Sequence, residues 1–425
     1  MKENVIEEFR WRGMLQDKTD GIEEVLLSRK VTGYIGFDPT SDSLHVGNLL
    51  PIMGLVHLQR HGHRPIALVG GATGMVGDPS GRSKERNLLD EERLAHNVAC
   101  IRDQLARFLD FDTKANPAQL LNNADWLGKM SFIGFMRDVG KYFPVGYMLA
   151  KDSVKRRLEG EGISFTEFSY MLLQAYDFYY LQRNFNCELQ LGGSDQWGNI
   201  TAGTELVRRI SEGRVYGLVF PLITSATGEK FGKSLDGAVY LDAKKTSPYK
   251  FYQYWINLDD RDVIAYLKYF SLLDEEEIEA IAADHSQAPH KRLAQKRLAE
   301  EVTRAVHGPA ALAQAVRASQ AMFGGQLTDM GAGEIGEIFG NVPSTQLPRA
   351  RFEGEGVSII DLFTECGVTK SKGEARRLLK GGGINLNNQR ITDMGRLVRL
   401  EDAIESSFMV LRQGSKRYHL VKIVV

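Results

Sequence analysis

The order of apolar and polar positions predicts alternating strands and helices in the first half of the chain. Residues 31–38 (VTGYIGFD) and 65–69 (PIALV) have the continuous apolar character of buried strands, and residues 44–60 between them have apolar positions at helical spacing. A strand, a helix and a second strand within about forty residues favour a right-handed crossover and therefore a parallel sheet.

Later apolar segments extend this pattern. Residues 187–191 and 218–223 are predicted strands, and the predicted helices are residues 91–109, 131–141 and 165–183. The sequence therefore predicts the α/β class, with a Rossmann-like open parallel sheet over residues 1–225.

Three further segments follow the predicted sheet. Residues 226–324 begin with a loop rich in glycine and lysine and continue as helix formers, which predicts an α-helical domain. Residues 325–356 contain seven glycines and two prolines and are predicted to be a linker with a little helix. Residues 357–425 are predicted to form a small basic α+β module.

Charge is unevenly distributed along the chain. The formal net charge is -1, but residues 357–425 carry twelve basic and seven acidic side chains, whereas residues 1–356 have a net charge of -6. A basic module attached to an acidic body is typical of a protein that binds a polyanion at one end.

Composition also gives expectations about location and metals. The cysteines Cys100, Cys187 and Cys366 lie far apart and form no CxxC pair, so we expect a reduced protein without zinc or another resident metal. The N-terminal segment is charged throughout, and no apolar stretch approaches eighteen residues. We therefore expect a cytoplasmic protein without a membrane segment.

A first candidate for chemistry is HVGN at residues 45–48, between a predicted strand and the helix that follows it. The N-terminus of a helix offers unpaired N–H groups and a positive dipole end, which suits phosphate. Gly47 lets a ligand approach the backbone, and His45 adds a donor. The alternative is a histidine that only caps the helix.

A second candidate is KFGKS at residues 230–234, where two lysines lie three residues apart beside glycine. Such a loop forms a cationic clamp for a triphosphate. A P-loop is the nearest rival, but Thr227 stands where a glycine is needed and the residues after Ser234 form no amphipathic helix. An exposed turn of lysine and glycine is the other alternative.

Two polar groups complete the set of candidates. Tyr170, Gln174 and Asp177 share one face of an otherwise apolar helix, which suits a small zwitterion with a polar tip or else a structural polar network. Asp195 and Gln196 lie in a glycine-rich turn directly after a predicted strand, where a ligand crevice is expected.

The order of these motifs closely resembles the bacterial tyrosyl-tRNA synthetases, a family of class I aminoacyl-tRNA synthetases. The resemblance covers nearly the whole chain, including KTSPYKFYQYWIN and the C-terminal module. Its most specific segments are YIGFDPT at 34–40, HVGN at 45–48, GGATGMVGDPS at 70–80, ISFTEFSYMLLQAYD at 163–177, LGGSDQWGNI at 191–200 and KFGKS at 230–234.

The resemblance implies a role for each matching residue. The implied catalytic residues are His45, Asn48, Lys230, Lys233 and Ser234 of the two ATP signatures, with Arg82 and Arg86 as cations that meet pyrophosphate. The implied tyrosine-binding residues are Tyr34, Asp78, Tyr170, Gln174, Asp177 and Gln196. The implied ATP-binding residues are Gly36, Asp38, Thr40, His45, Gly47, Gly193, Asp195 and Lys233.

This sequence departs from both family signatures. Asn48 replaces the second histidine of HIGH, and Phe231 and Gly232 replace the methionine and first serine of KMSKS. An uncharged amide still donates to a phosphate oxygen, so we expect altered energetics at Asn48 and no loss of function.

The implied reaction is attack of the tyrosine carboxylate on the α-phosphate of Mg-ATP, followed by transfer of tyrosine to the 3′-terminal adenosine of tRNA. ATP enters as a substrate with Mg²⁺, and no tightly bound cofactor is expected. Residues 226–324 would be an anticodon-binding domain, and the chain would be a homodimer. Arg376, Arg377 and Lys380 would bind RNA, unless that basic helix merely faces solvent.

Two other functions fit parts of the sequence. A nucleotidyltransferase of the same superfamily shares the histidine and glycine signature but needs no RNA-binding module. A catalytically silent RNA-binding protein descended from a synthetase would not need His45 or both lysines. Tyrosine-dependent exchange of pyrophosphate into ATP distinguishes the three.

Overall fold

The computed structural model describes residues 2–80, 90–160, 162–226, 231–234, 237–322, 324–327, 330–340, 342–414 and 417–424, with the backbone alone at Lys233 and Ser234. These residues form two compact units. The first consists of Met1–Ser247 and Tyr254–Gly308, and the second of Pro248–Gln253 and Pro309–Val425.

The first unit is built on a six-stranded sheet. The strands are β1 (Asp17–Lys18), β2 (Thr32–Phe37), β3 (Arg64–Val69), β4 (Gln119–Asn122), β5 (Cys187–Gly193) and β6 (Tyr216–Phe220), in the spatial order β1-β6-β5-β2-β3-β4. All neighbouring pairs are parallel except β1 with β6. The predicted open parallel sheet is confirmed.

The strand order creates a switch point between β2 and β5. The chain leaves β2 for β3 on one side, and β5 lies on the other side of β2. In open α/β sheets, the crevice outside the carboxyl ends of the strands at such a point is the usual ligand site. A ligand crevice is therefore expected at the carboxyl ends of β2 and β5.

Helices cover both faces of this sheet. A Cβ at Gly33 would meet Leu58 of the third helix, whereas the ring of Tyr34, the next residue, packs against Phe178 of the ninth. The helices up to residue 211 are α1 (Val5–Trp11), α2 (Ile22–Ser28), α3 (Leu49–Arg60), α4 (Glu91–Leu105), α5 (Ala124–Leu127), α6 (Phe132–Asp138), α7 (Val145–Leu149), α8 (Asp152–Leu158), α9 (Phe165–Phe185) and α10 (Trp197–Ser211).

The segment after the sheet is helical, as predicted. It contains the short hairpin β7 (Lys233–Ser234) and β8 (Gly237–Ala238), followed by α11 (Pro248–Ile256), α12 (Val263–Phe270), α13 (Glu275–Gln287) and α14 (Leu293–Ala321). Helix α14 is interrupted at Gly308, where φ is +85° and Pro309 follows, and the boundary between the two units falls at this point.

A buried arginine attaches the N-terminal helix to the helical segment of the first unit. Arg12 donates to the carbonyl oxygens of Lys268, Ser271 and Leu273 at 2.6–2.9 Å and to Glu8 at 2.8 Å. Two of these carbonyls lie at the C-terminal end of α12, where a cation is favourable. Arg12 therefore fixes the position of α12 within this unit.

The second unit combines helices with a five-stranded sheet. Its elements are α15 (Ala332–Ile338), β9 (Ser344–Pro348), β10 (Val357–Ser358), α16 (Ile359–Glu365), α17 (Lys372–Lys380), β11 (Ile384–Leu386), β12 (Gln389–Arg390), β13 (Leu397–Val398), β14 (Phe408–Gln413) and β15 (Arg417–Val424). The larger sheet has the order β12-β11-β14-β15-β9, and β10 pairs with β13.

Residues 325–356 are more ordered than their composition suggests. Helix α15 packs into a core with Val410 and Leu420, and strand β9 pairs in parallel with β15. Much of the predicted linker is therefore part of the second unit. The four domain boundaries drawn from the sequence remain predictions, because the two compact units divide the chain differently.

None of the helices in the described parts of the chain is long and apolar enough to cross a membrane.

Candidate active site

The HVGN segment forms a short 3-10 helix at the start of α3. His45 caps it, with its Nδ1 accepting from Gly47 N at 3.0 Å and its own N–H donating to Asn48 Oδ1 at 3.1 Å. Because Nδ1 accepts, the neutral imidazole carries its proton on Nε2. The capping interpretation is thus correct for the geometry, and the exposed ring is still suited to donate to an anion.

Gly232 of the KFGKS segment lies directly against HVGN. Gly232 has φ +84°, and a Cβ there would stand 3.0 Å from Val46 Cγ2 and 3.5 Å from Gly47 N. Both the backbone angle and the close approach require glycine at this position. The two segments that the sequence separates by more than 180 residues are therefore neighbours.

Backbone pairing holds this arrangement together. Val239 N donates to Gly232 O at 3.0 Å, Val46 N donates to Val239 O at 2.9 Å, and Leu241 N donates to Leu44 O at 2.9 Å. These bonds join the chain after the β7–β8 hairpin to the residues that lead into HVGN. The hairpin that carries Lys233 is thereby fixed beside HVGN.

Asp177 is the most deeply buried acid of the predicted site, at 1% exposure. Its Oδ1 accepts from Trp126 Nε1 at 2.7 Å and its Oδ2 from Asn123 Nδ2 at 2.9 Å. Burial raises the pKa of Asp177 to about 7, while these two donors oppose the rise. The carboxyl therefore titrates near neutral pH.

Tyr34 lies on β2 and faces α9, the helix that carries Asp177. Its ring packs edge-on to Phe178 at 5.4 Å, and its buried hydroxyl has no hydrogen-bond partner among the described residues. Burial, and then the charge of Asp177, raise the pKa of Tyr34 well above its ordinary value. The hydroxyl is therefore a protonated donor, and an unpaired buried donor costs about 1–3 kcal/mol.

Asp38 joins the polar stripe on α9 to the end of β2. Its Oδ2 accepts from Tyr170 OH at 2.9 Å, and its Oδ1 accepts from Thr73 Oγ1 at 3.0 Å. Asn123 donates to Thr73 Oγ1 at 2.9 Å and also to Asp177. One hydrogen-bonded chain thus connects the two acids.

A second network surrounds Gln196, in the turn after β5. Gln196 Nε2 donates to Asp78 Oδ2 at 2.7 Å, and its Oε1 accepts from Gln174 Nε2 at 3.3 Å. Asn199 donates to Gln174 Oε1 at 3.0 Å. Burial, and then the charge of Asp78, raise the pKa of Asp195. Asp78, Gln174, Asp195 and Gln196 are thus gathered at one place.

The remaining predicted ATP-side residues lie at the ends of β2 and β5. Gly36 is exposed, and a Cβ there would meet nothing within 4 Å, which leaves the backbone open to a ligand. Thr40 is exposed just beyond β2, whereas a Cβ at Gly193 would lie 2.6 Å from Asp195 Oδ1. A Cβ at Gly47 would lie 2.7 Å from His45 Cε1, so a side chain there would disturb the cap.

Some predicted residues cannot be placed. Arg82, Arg86 and Lys230 lie outside the described residues, and Lys233 and Ser234 are described by their backbone alone. In the second unit, Arg376, Arg377 and Lys380 are exposed on α17.

Asn123, Trp126, Thr73 and Asn199 complete the polar networks but were not identified from the sequence. Asn123 and Trp126 lie more than fifty residues from Asp177 and reach it only because β4 is the neighbour of β3. Asn123 directly follows β4, which produces no distinct apolar pattern, so the sequence offered no signal for this residue.

Within the residues that the structure describes, no group of three or more histidine, cysteine, aspartate or glutamate side chains could hold a metal ion.

Comparison with known proteins defines the class to which this fold and site belong. Residues 27–324 match the family described as tRNA synthetases class I (W and Y), and the chain belongs to that family. Residues 334–421 match a second family, described as the tyrosine–tRNA ligase SYY-like C-terminal domain.

Individual relatives are similar over nearly the full length. A tyrosine–tRNA ligase of Roseiflexus castenholzii is 55% identical over 99% of both chains, and one of Geobacillus stearothermophilus is 51% identical over 99% of both chains. The crystal structure of a C-terminally truncated mitochondrial tyrosyl-tRNA synthetase of Aspergillus nidulans is 32% identical. It superposes with a TM-score of 0.69 and covers 76% of this chain and 95% of its own.

Proposed function

We propose that this chain is a tyrosine–tRNA ligase that activates L-tyrosine with ATP and then transfers the tyrosine to the 3′-terminal adenosine of its tRNA. Family membership and full-length relatives named tyrosine–tRNA ligase support this function. The observation that carries it in the structure is the Tyr34 hydroxyl, which has no hydrogen-bond partner among the described residues and lies near the buried carboxyl of Asp177.

These two side chains match a phenol. The Tyr34 O–H donates, ionised Asp177 accepts, and a phenol hydroxyl both accepts and donates. Phenylalanine would leave the hydroxyl of Tyr34 unpaired and offer Asp177 no donor, so the site disfavours it.

Tyr170, Gln174 and Asp78 would hold the ammonium group of tyrosine. Gln196 links Gln174 to Asp78, Tyr170 lies one turn before Gln174 on α9, and an ammonium donates three hydrogen bonds. Asp78 is itself buried, which favours pairing with a cation. Gln196 would lie between this group and the amino acid's carboxylate.

ATP would lie at the carboxyl end of β2, along Gly36, Asp38, Thr40 and Gly47. Asp195, with Gly193 beside it, would bind the ribose hydroxyls. Mg²⁺ enters with ATP, held by its phosphates. His45 and Asn48, supported by the backbone N–H groups at the start of α3, would contact the phosphates.

Catalysis of the first step requires no nucleophile on the protein. The tyrosine carboxylate attacks the α-phosphate and pyrophosphate leaves, so the enzyme works by positioning and by stabilising charge on the phosphates. His45, Lys230 and Lys233 would be its main agents, with Ser234, Arg82 and Arg86 meeting the leaving pyrophosphate.

RNA binding would fall to α17 of the second unit. Arg376, Arg377 and Lys380 are exposed on this helix, and Arg390 of β12 lies beside its C-terminal end, so close that a Cβ at Gly382 would overlap the guanidinium. Lys372, by contrast, pairs with Asp361 at 2.9 Å. The cations that bind phosphates of structured RNA would be Arg376, Arg377, Lys380 and Arg390.

We also propose that the protein is a homodimer of the cytoplasm. Helix α6 buries no residue, and Phe132, Ile133 and Met136 are 65%, 73% and 42% exposed. Phe165 at the start of α9 is 64% exposed. Large apolar side chains exposed together mark a protein interface, and most homo-oligomers pair identical surfaces.

The test is exchange of labelled pyrophosphate into ATP with each of the twenty amino acids. We expect exchange that depends on tyrosine alone. Dependence on another amino acid would contradict the tyrosine assignment, and amino-acid-independent exchange would favour a nucleotidyltransferase.

A further inference from the structure

Phe231, the second residue of the KFGKS segment, is packed among aromatic side chains of the following helices. Its ring stacks on Phe270 with centroids 5.5 Å apart and planes 8° apart, and it meets Tyr266 edge-on at 5.1 Å. Trp255 lies 6.2 Å away. Trp255, Tyr266 and Phe270 are 0–3% exposed, so the ring is anchored in a rigid core.

The backbone N–H of the next residue, Gly232, is bound by the hydroxyl of Tyr254. Tyr254 OH accepts from Gly232 N at 3.1 Å, and the ring of Tyr254 lies edge-on to Phe231 at 6.3 Å. Burial raises the pKa of Tyr254 to about 12, so the hydroxyl stays protonated. The N–H of Gly232 is thus bound on one side, and its carbonyl is bound by Val239 on the other.

These contacts set where the hairpin that carries Lys233 begins. Lys230 precedes Phe231 and Lys233 follows Gly232, and a Cβ at Gly232 would touch Val46 of the HVGN segment. A change in the orientation of the Gly232 peptide would therefore move the start of the hairpin relative to HVGN. Groups that stabilise transition-state charge lose much of their effect when displaced by about 1 Å.

We propose that Tyr254 and Phe231 are positioning residues for the adenylation step, with the Tyr254 hydroxyl orienting the hairpin that carries Lys233. The inference rests on the proposed function and extends it to two side chains that act through the backbone. The packing of Phe231 fixes the start of the hairpin, and the hydrogen bond from Gly232 N to Tyr254 fixes the orientation of the backbone that follows. These contacts also explain the two departures from KMSKS. The aromatic core accommodates the ring of Phe231, and the backbone at position 232 requires glycine.

The first test compares Tyr254→Phe with Tyr269→Phe. The first variant keeps the ring and removes the bond to Gly232, whereas Tyr269 lies on α12 and makes no hydrogen bond to the described part of the hairpin. We expect Tyr254→Phe to lower the kcat of tyrosine-dependent pyrophosphate exchange about fivefold, with KM for tyrosine unchanged. Equal rates in the two variants, or an equal change in KM, would overturn the proposal.

A double variant tests whether Tyr254 acts through the lysine. In the Lys233→Ala background, adding Tyr254→Phe should lower kcat less than twofold, because residues that act as a unit are non-additive. A full fivefold further loss would show that the hydroxyl acts independently of Lys233 and would refute the proposed route.

Hydrogen exchange separates a failure of this inference from a failure of the proposed function. The Gly232 amide should exchange faster in Tyr254→Phe than in Tyr269→Phe, whatever amino acid the enzyme activates. Faster exchange of the Gly232 amide without tyrosine-dependent activity would contradict the proposed function but support the role of the Tyr254 hydrogen bond. Unchanged protection of the Gly232 amide would show that Tyr254 does not hold this N–H, even if the enzyme is active with tyrosine.

Discussion

Asp177 is a carboxyl whose surroundings pull its titration in opposite directions. Removal from water favours the neutral form, whereas Asn123 and Trp126 donate to its two oxygens and favour the anion. The balance leaves the group half ionised close to physiological pH. The affinity for a ligand that donates to this carboxylate must therefore depend on pH.

We predict that tyrosine binds more tightly as the pH rises from 6 to 8. The raised pKa of about 7 means that the carboxylate fraction grows through this window, and the dissociation constant should fall by up to about tenfold. Calorimetric titration at pH 6, 7 and 8 measures it. Asp177→Asn should flatten the profile, and an affinity that stays constant in the unmodified protein would contradict the assignment.

A second prediction concerns Asn123, which lowers the pKa of Asp177 by donating to it. Asn123→Ala removes that donor, so the pKa should rise further and the midpoint of tyrosine binding should move to higher pH. Asn122→Ala is the matched control, because the Asn122 side chain accepts from the backbone N–H groups of Gly71 and Ala124. A midpoint equal in both variants would rule out the role of Asn123.

At the scale of elements, helix α17 makes a prediction about RNA. Replacing Arg376, Arg377 and Lys380 by glutamine should raise KM for tRNA by about tenfold or more and weaken its salt dependence. Pyrophosphate exchange should not change, since it needs no RNA. Aminoacylation at several salt concentrations measures the effect.

The same unit offers a control of equal charge. Arg349, Arg351 and Lys372 are ion-paired with Glu353, Glu365 and Asp361, so replacing these three by glutamine should affect tRNA much less. If both triple variants lose aminoacylation equally, net charge explains binding and the specific face of α17 does not.

An element can be predicted from the sequence when its own residues show an apolar pattern, and not when it depends on a distant partner. Strands β2 and β3 are mostly apolar runs, and β5 alternates apolar residues with Glu188 and Gln190, so the sequence predicts all three as strands. Strand β1 has two residues and β4 is a partly buried edge strand, and neither produces a distinct pattern. Strand β9 was hidden in a glycine-rich segment because its partner β15 lies far along the chain.

The site divides in the same way. Residues within a motif, such as His45 and Asp195, were predicted because spacing along the chain carries the signal. The hydrogen bonds of Asn123 and Thr73 depend on which strands are adjacent in the sheet. The packing of Phe231 depends on aromatic rings of two later helices. No local pattern encodes such contacts.

At the scale of the whole molecule, the apolar surface of α6 predicts association. We expect Ile133→Asp to shift the protein from dimer to monomer in analytical ultracentrifugation, because a buried unpaired carboxylate is costly at an interface. Leu27→Asp, at a position 62% exposed on α2, is the control. A dimer that survives Ile133→Asp would place the interface elsewhere.

The late pairing of β9 with β15 has a consequence for synthesis on the ribosome. The parallel sheet of the first unit has all its strands once Phe220 has emerged, whereas β9 must wait for β15. Folding should therefore proceed in two stages, with the parallel sheet of the first unit forming while the second unit is still being translated. A chain released between these strands would leave the apolar residues of α15 without Val410 and Leu420, a natural target for proteolytic quality control.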